Sequence, residues 1–204
     1  EIKRFRTEAE AAGQLQHPNI VAIHEVGEHD GQQYFSMDYV EGPSLAKRCD
    51  SRPLPPNQAA EYVKLMAEAI HYAHQKGILH RDLKPSNVLI DTADQPRITD
   101  FGLARRIEQE SGLTLTGAVL GSPSYMAPEQ AAARNEEVGV GSDIYSVGAT
   151  LYHLLTGRPP FQAATPLETM RQVIESEPAS PRWVNPNVPQ DLDTICLKCL
   201  EKES

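Results

Sequence analysis

Between Asn57 and Gln75 the apolar residues recur at helical spacing on two adjacent stripes. Val63, Ala67, Ile70 and His74 form one, and Ala59, Tyr62, Met66 and Ala73 form the other. So wide an apolar face predicts a central, mostly buried helix, with Gly77 as its stop, around which the rest of the chain has to pack. Helical patterning returns with Ile144, Val147, Leu151, Leu154 and Leu155 and stops at Gly157-Arg158-Pro159-Pro160. Thr165-Pro166-Leu167-Glu168 reads as a capping box with proline at the first helical position. A last helix after Pro189 places Leu192, Ile195, Cys196, Cys199 and Leu200 on one face.

Ahead of the central helix, residues 2–15 read as an amphipathic helix carrying Ile2, Phe5, Ala9 and Ala12. Two strand-like runs follow at 20–26 and 33–40, with Asp30-Gly31 as the hairpin turn between them. Shorter apolar runs at 88–90 and around Ile98 predict a small pair of strands turned by Asp91-Thr92-Ala93-Asp94-Gln95. Residues 103–141 lack sustained periodicity, and a structureless stretch that long inside a domain points to a functional loop or to disorder. The order is helix plus hairpin, then a mainly helical body with one long loop.

Composition removes several functions. Nineteen Lys plus Arg against 28 Asp plus Glu give a formal charge of −9, a poor electrostatic match for nucleic acid or anionic lipid. Three cysteines argue against a disulfide scaffold and for a reducing compartment. No apolar run approaches the ~18 residues of a membrane span, and the opening EIKRFRTEAEAA is charged and helical, unlike a signal peptide. A cytoplasmic piece without membrane contact is the expectation, any anchor lying in a segment outside these 204 residues.

The chemistry concentrates in His80-Arg81-Asp82-Leu83-Lys84-Pro85-Ser86-Asn87, between the central helix and the first short strand. Phosphoryl transfer asks little covalent work of a protein; it needs charge neutralisation and an aligned nucleophile. This run supplies a carboxylate to orient a hydroxyl (Asp82), a cation for the transferring phosphate (Lys84) and an amide oxygen for Mg²⁺ (Asn87). Past the second short strand, Thr99-Asp100-Phe101-Gly102 adds a second hard oxygen ligand in Asp100 and a glycine for a sharp turn. Met126-Ala127-Pro128-Glu129 closes the long loop.

H-R-D-x-K-P-x-N, then D-F-G, then A-P-E is the signature set of protein kinases. Six fixed positions put a chance match to the first motif at ~10⁻⁸ per position from average residue usage. The chain therefore resembles the catalytic domain of protein kinases, and Lys84 stands where tyrosine kinases differ, which favours Ser and Thr acceptors. RFRTEAEAAGQLQHPNIV and GSPSYMAPEQA are most similar to bacterial eukaryote-like (Hanks-type) serine/threonine kinases, and CLKCLEKE is similar to their planctomycete branch.

The resemblance implies an α+β, bilobal fold. Residues 1–37 would be a partial N-lobe of helix C and a hairpin (strands 4 and 5), residues 38–42 the hinge, and residues 43–204 a mostly helical C-lobe with its activation segment at 100–129. It implies ATP and Mg²⁺ as cofactors, Ser/Thr-bearing proteins as substrates and a second copy of the kinase during autophosphorylation. Asp82, Lys84, Asn87 and the helix C glutamate, Glu8, would be catalytic, and Asn87 and Asp100 would hold the metal. The gatekeeper Met37, backbone groups of Asp38 and Val40, Leu89 beneath the adenine ring, and Lys84 would contact the nucleotide. Asp143 matches the aspartate that holds the catalytic loop from below, and Ser122 would bond Asp82 and Lys84. Thr114 and Thr116 stand where bacterial relatives autophosphorylate, and a phosphate there would pair with Arg81.

No Gly-rich loop and no strand lysine for Glu8 occur between Glu1 and Ser204, and the arginine that pairs with Glu129 in the family is also missing, so a piece cut at both ends and inactive by itself is expected. A pseudokinase serving as a protein-binding or scaffold module is the alternative reading. Cys196-x-x-Cys199 has no second pair and lies on an apolar stripe, so packing explains it better than zinc. The His71, His74 and His80 group is assigned to helix packing and to the kinase motif, not to a metal.

Overall fold

The computed structural model describes residues 12–29, 32–50, 52–101 and 123–202. Two antiparallel strands, β1 (Ile23–His29) and β2 (Gln32–Met37), precede a body of seven helices among the described residues. These are α1 (Leu45–Cys49), α2 (Pro56–Gln75), α3 (Pro128–Ala131), α4 (Val140–Thr156), α5 (Pro166–Glu175), α6 (Pro181–Val184) and α7 (Gln190–Cys199). A second hairpin, β3 (Val88–Ile90) with β4 (Pro96–Ile98), lies between α2 and the long loop.

The core forms where α4 packs against α2 and α7. Its fully buried side chains include Met66, Tyr152, Leu154, Leu155 and Leu200, and burying each apolar side chain of this size contributes about 1.5–3 kcal/mol. On α2 the face carrying Ala59, Tyr62, Met66 and Ala73, widened by Ala69, is the core face. The other expected stripe is only partly buried: Ile70 is inside, Val63 is half-buried, and Ala67 faces water. Ile144 on α4 and Ile195 on α7, both assigned to core stripes from spacing, are instead 46% and 52% exposed. Each sits at the margin of an apolar face, where a shift of one residue turns the side chain outward.

Cys196 is buried with its Sγ 3.6 Å from the Gly148 carbonyl. A Cβ added at Gly148 would lie 2.5 Å from the Cys199 Cβ, so glycine is what lets α4 and α7 approach so closely. The two cysteines are therefore packing residues. The end of α4 is tied down from three sides. Gly157, at φ 78°, closes the helix onto the His153 carbonyl, while Leu54 N–H and Asn185 Nδ2 donate to the carbonyls of Leu154 and Leu155. At α5 the capping box forms: Thr165 Oγ1 accepts from Glu168 N–H, and Glu168 Oε2 accepts from Thr165 N–H, both at 3.2 Å.

The first hairpin is shorter than its sequence pattern. Ile20 and Val21 are drawn off to β4, where Ile98 N–H donates to Asn19 O and Val21 N–H to Ile98 O, each at 2.8 Å. Asn19 Nδ2 adds a bond to the Pro96 carbonyl at 2.9 Å. The second hairpin matches expectation, with Asp91 Oδ1 accepting from Ala93 and Gln95 and Asp94 at φ 59°. Within the stretch read as structureless, residues 123–139 carry helical turns at Pro123–Tyr125 and Asn135–Glu137 flanking α3. They are too short to leave a periodic signal. The helix assigned to residues 2–15 and the Asp30-Gly31 turn fall largely outside the described residues. No helix among the described residues is long and apolar enough to cross a membrane.

Candidate active site

The loop from His80 to Asn87 is anchored before it is functional. Asp143, in the first turn of α4 and 1% exposed, accepts the His80 N–H through Oδ2 at 2.9 Å and the Arg81 N–H through Oδ1 at 2.8 Å. His74 Nε2, at the end of α2, reaches the same Oδ2 at 2.7 Å. Burial alone would raise the Asp143 pKa, but these three bonds outweigh it and hold the carboxyl below its ordinary 3.8.

The fully buried His80 ring lies between Asp82 and Thr99. Its Nε2 faces the Thr99 carbonyl at 3.0 Å, and a carbonyl only accepts, so Nε2 carries the proton. Nδ1 is then free to accept the Asp82 N–H at 3.3 Å. Burial lowers the His80 pKa, favouring this neutral form, and the ring packs on Phe101 with centroids 4.7 Å apart. Arg81 and Asp100, at φ 67° and 63°, occupy the left-handed region that non-glycine residues seldom adopt.

Asp82 is 22% exposed at its side chain. Its Oδ2 accepts from Lys84 Nζ at 2.8 Å and from Asn87 Nδ2 at 3.2 Å, and the same Nδ2 donates to the Asp82 backbone carbonyl at 2.9 Å. Among the described residues no bond engages Asp82 Oδ1, which leaves an acceptor beside a cation. With its NH₂ turned to Asp82, Asn87 presents Oδ1 on the opposite side, where among the described residues Ser86 Oγ meets it at 3.3 Å. Thr99 N–H donates to the Asn87 carbonyl at 3.0 Å, which brings Asn87 and Asp100 onto neighbouring chain segments. Burial raises the Asp100 pKa, the effect expected of a carboxylate withdrawn from water. One amide oxygen and one carboxylate suit Mg²⁺, which takes one or two protein oxygens and completes its shell with water and substrate phosphate.

On the other side, Ile90 N–H donates to the Pro43 carbonyl at 2.9 Å, and Ser44 bridges Leu89. That approach requires Gly42, at φ 152°, because a Cβ there would sit 1.8 Å from the Ile90 carbonyl oxygen. Half-buried Leu89 is thereby brought beside the 38–43 connection. Met37 is 42% exposed, its sulfur 3.6 Å from Thr99 Oγ1. The Asp38 amide is committed to Ala22 O at 2.9 Å and its carboxylate to His24 at 2.7 Å, so of its backbone groups the carbonyl is the one available to a ligand. Val40 is half-buried in the same connection.

The family model described as "Protein kinase domain" matches residues 1–204. The chain belongs to the protein kinase family. It is 42% identical to the serine/threonine-protein kinase PrkC of Bacillus subtilis over 99% of its length, covering 31% of that protein. It is 40% identical to PknB of Mycobacterium leprae over 98% of its length, covering 32% of that protein. The chain thus spans about a third of the curated relatives it matches. Among solved structures, the PknI kinase domain of Mycobacterium tuberculosis matches with TM-score 0.75 at 30% identity, over 98% of this chain and 70% of that one. Rad53, in complex with AMP-PNP, matches with TM-score 0.81 at 28% identity, over 98% of this chain and 50% of that one. The protein kinase fold follows.

In this kinase domain Asp82, Lys84, Asn87 and Asp100 are brought together, with Leu89, Met37, Asp38 and Val40 around the 38–43 connection. Glu8, Thr114, Thr116 and Ser122 lie outside the described residues. Glu129 accepts the Ser142 hydroxyl. The spacing argument missed Gln130, which bonds the Arg81 carbonyl, and the Tyr125 hydroxyl on His153 Nδ1 at 2.6 Å. It also left His74 as packing, whereas that ring braces Asp143.

Proposed function

We propose that the protein containing this chain is a serine/threonine protein kinase that moves the γ-phosphate of ATP to Ser and Thr hydroxyls of proteins. The observation that carries the reading is Asp82, held by Lys84 and Asn87 through one oxygen while the other, among the described residues, is left to an acceptor hydroxyl. Asp82 orients that hydroxyl, and Lys84 neutralises charge on the group in transfer. Asn87 and Asp100 would hold Mg²⁺, which when bound offsets the charge of the phosphates. The Asp38 carbonyl and the Val40 backbone would take the adenine edge, with Met37 behind it, Leu89 below it and Lys84 at the phosphates.

In the same reading residues 1–37 belong to the smaller lobe, 38–42 are the hinge and 43–204 belong to the larger lobe, with the activation segment at 100–129. Glu8 would pair with a lysine, Ser122 would steady Asp82 and Lys84, and phosphate on Thr114 or Thr116 would pair with Arg81, added by a second copy of the kinase. Three free cysteines accord with work in the reducing cytoplasm. Incubating the full-length protein with Mg²⁺ and γ-labelled ATP, followed by phosphoamino-acid analysis, tests the reading. Labelled phosphoserine and phosphothreonine are expected; nucleotide binding without transfer, or label on tyrosine alone, overturns it.

A further inference from the structure

Gln130 is 5% exposed, and a buried primary amide has to place both a donor and an acceptor. Its Oε1 accepts the Ala127 N–H at 3.1 Å, satisfying an open donor at the start of α3. Its Nε2 donates to the Arg81 carbonyl at 2.7 Å. That carbonyl belongs to the peptide joining Arg81 to Asp82, and the N–H of the same peptide is bound by His80 Nδ1 at 3.3 Å. The preceding peptide is held by Asp143 through the Arg81 N–H. Arg81 sits at φ 67°, a conformation that persists only where the surroundings over-determine it. Gln130 supplies one of those constraints from the segment that ends the long loop.

We propose that Gln130 is a positioning residue for phosphoryl transfer, fixing the Arg81–Asp82 peptide plane and with it the aim of the Asp82 carboxylate. The proposal rests on the kinase reading above, and it makes the 123–131 segment a mechanical neighbour of the acceptor site. The test compares full-length wild type, Gln130→Glu and Gln130→Leu at pH 6 and pH 8. A glutamate keeps the shape and the acceptor for Ala127 but, when ionised, has no proton for the Arg81 carbonyl; when protonated it regains one. Out of water and facing the Arg81 carbonyl, its carboxyl should titrate above the ~4.3 of a free glutamate.

At pH 8, kcat of Gln130→Glu should fall about 10- to 100-fold, the range for slight misplacement of a reacting group, with KM for ATP unchanged. At pH 6 its rate relative to wild type should recover, while Gln130→Leu stays low at both. A Gln130→Glu rate equal to wild type at pH 8, or a loss identical at both pH values, overturns the proposal. Failure of both variants to melt cooperatively or to bind nucleotide overturns it too, by making Gln130 merely structural. Absence of transfer by wild type removes the kinase reading itself, and the proposal with it, before any variant is compared.

Discussion

The β1–β2 hairpin is a hydrogen-bonded ladder and the 80–87 loop is not, yet among the described residues the loop has the more deeply buried polar support. The hairpin has a ladder from Glu25↔Ser36 to His29↔Gln32, and among the described residues its apolar contacts are the partly buried Ile23, Val26 and Phe35. Its side-chain bonds, Gln33 to Glu28 and Tyr34 to Glu25, lie at the surface, where water competes. The loop has no ladder and carries Arg81 in a strained conformation, but its polar groups are met by Gln130 on α3, Thr99 after β4 and Asp143 on α4, which His74 at the end of α2 braces in turn. Buried bonds converging from different elements fix geometry more firmly than a ladder open to solvent. The carboxylate proposed to orient the acceptor, Asp82, sits on the first kind of support.

The largest way to break this contrast is Asp143→Ala. It strands two buried N–H groups and the His74 ring, and should cost roughly 3–5 kcal/mol in urea unfolding; a loss near that of a surface substitution would mean the loop is not held from α4. Next, truncating fully buried Leu154 to Ala should cost about 2–5 kcal/mol. Half-buried Phe35→Ala in the hairpin should cost less than the ~3 kcal/mol at which full burial of that side chain begins. Equal losses measured side by side would erase the difference between the regions.

Acid should act on the anchored side. Burial holds His80 and His153 below their ordinary 6.5 in the folded protein. As pH falls through 6.5 the unfolded chain takes up protons first, so stability declines, by at most ~1.4 kcal/mol per pH unit for each ring. Asp143, with its folded pKa below 3.8, adds a further decline as pH falls past that value toward its folded pKa. A urea midpoint flat from pH 7 to 5 would contradict the histidine part. The smallest effect expected is Thr165→Ala, about 1 kcal/mol for the lost cap on α5, with the hairpin and loop unaffected.

Periodicity revealed α2 and α4 because each buries enough of one face to leave a repeated pattern, and Thr165 with Glu168 announced α5 by chemistry alone. Ile144 and Ile195 were misassigned because spacing cannot tell the centre of an apolar face from its margin. The grouping of Asp82, Lys84, Asn87 and Asp100 was legible from fixed motif spacing. The bonds that orient them were mostly not. Gln130 lies 49 positions from Arg81, and His74 lies 69 from Asp143; such contacts exist only after folding and leave no local signal. Ile20 and Val21 show the same limit, since their strand-like pattern is used on β4 and not in the hairpin beside them.

The most direct test of the account is phosphate transfer by the full-length protein carrying Asp82→Asn, measured beside wild type with Mg²⁺ and γ-labelled ATP. The substitution keeps the side chain's shape and removes the carboxylate proposed to orient the acceptor. Transfer should fall by about 10²- to 10⁴-fold while the melting transition and nucleotide affinity stay close to wild type. A rate within tenfold of wild type, in a protein that folds and binds nucleotide, would contradict the role given to Asp82.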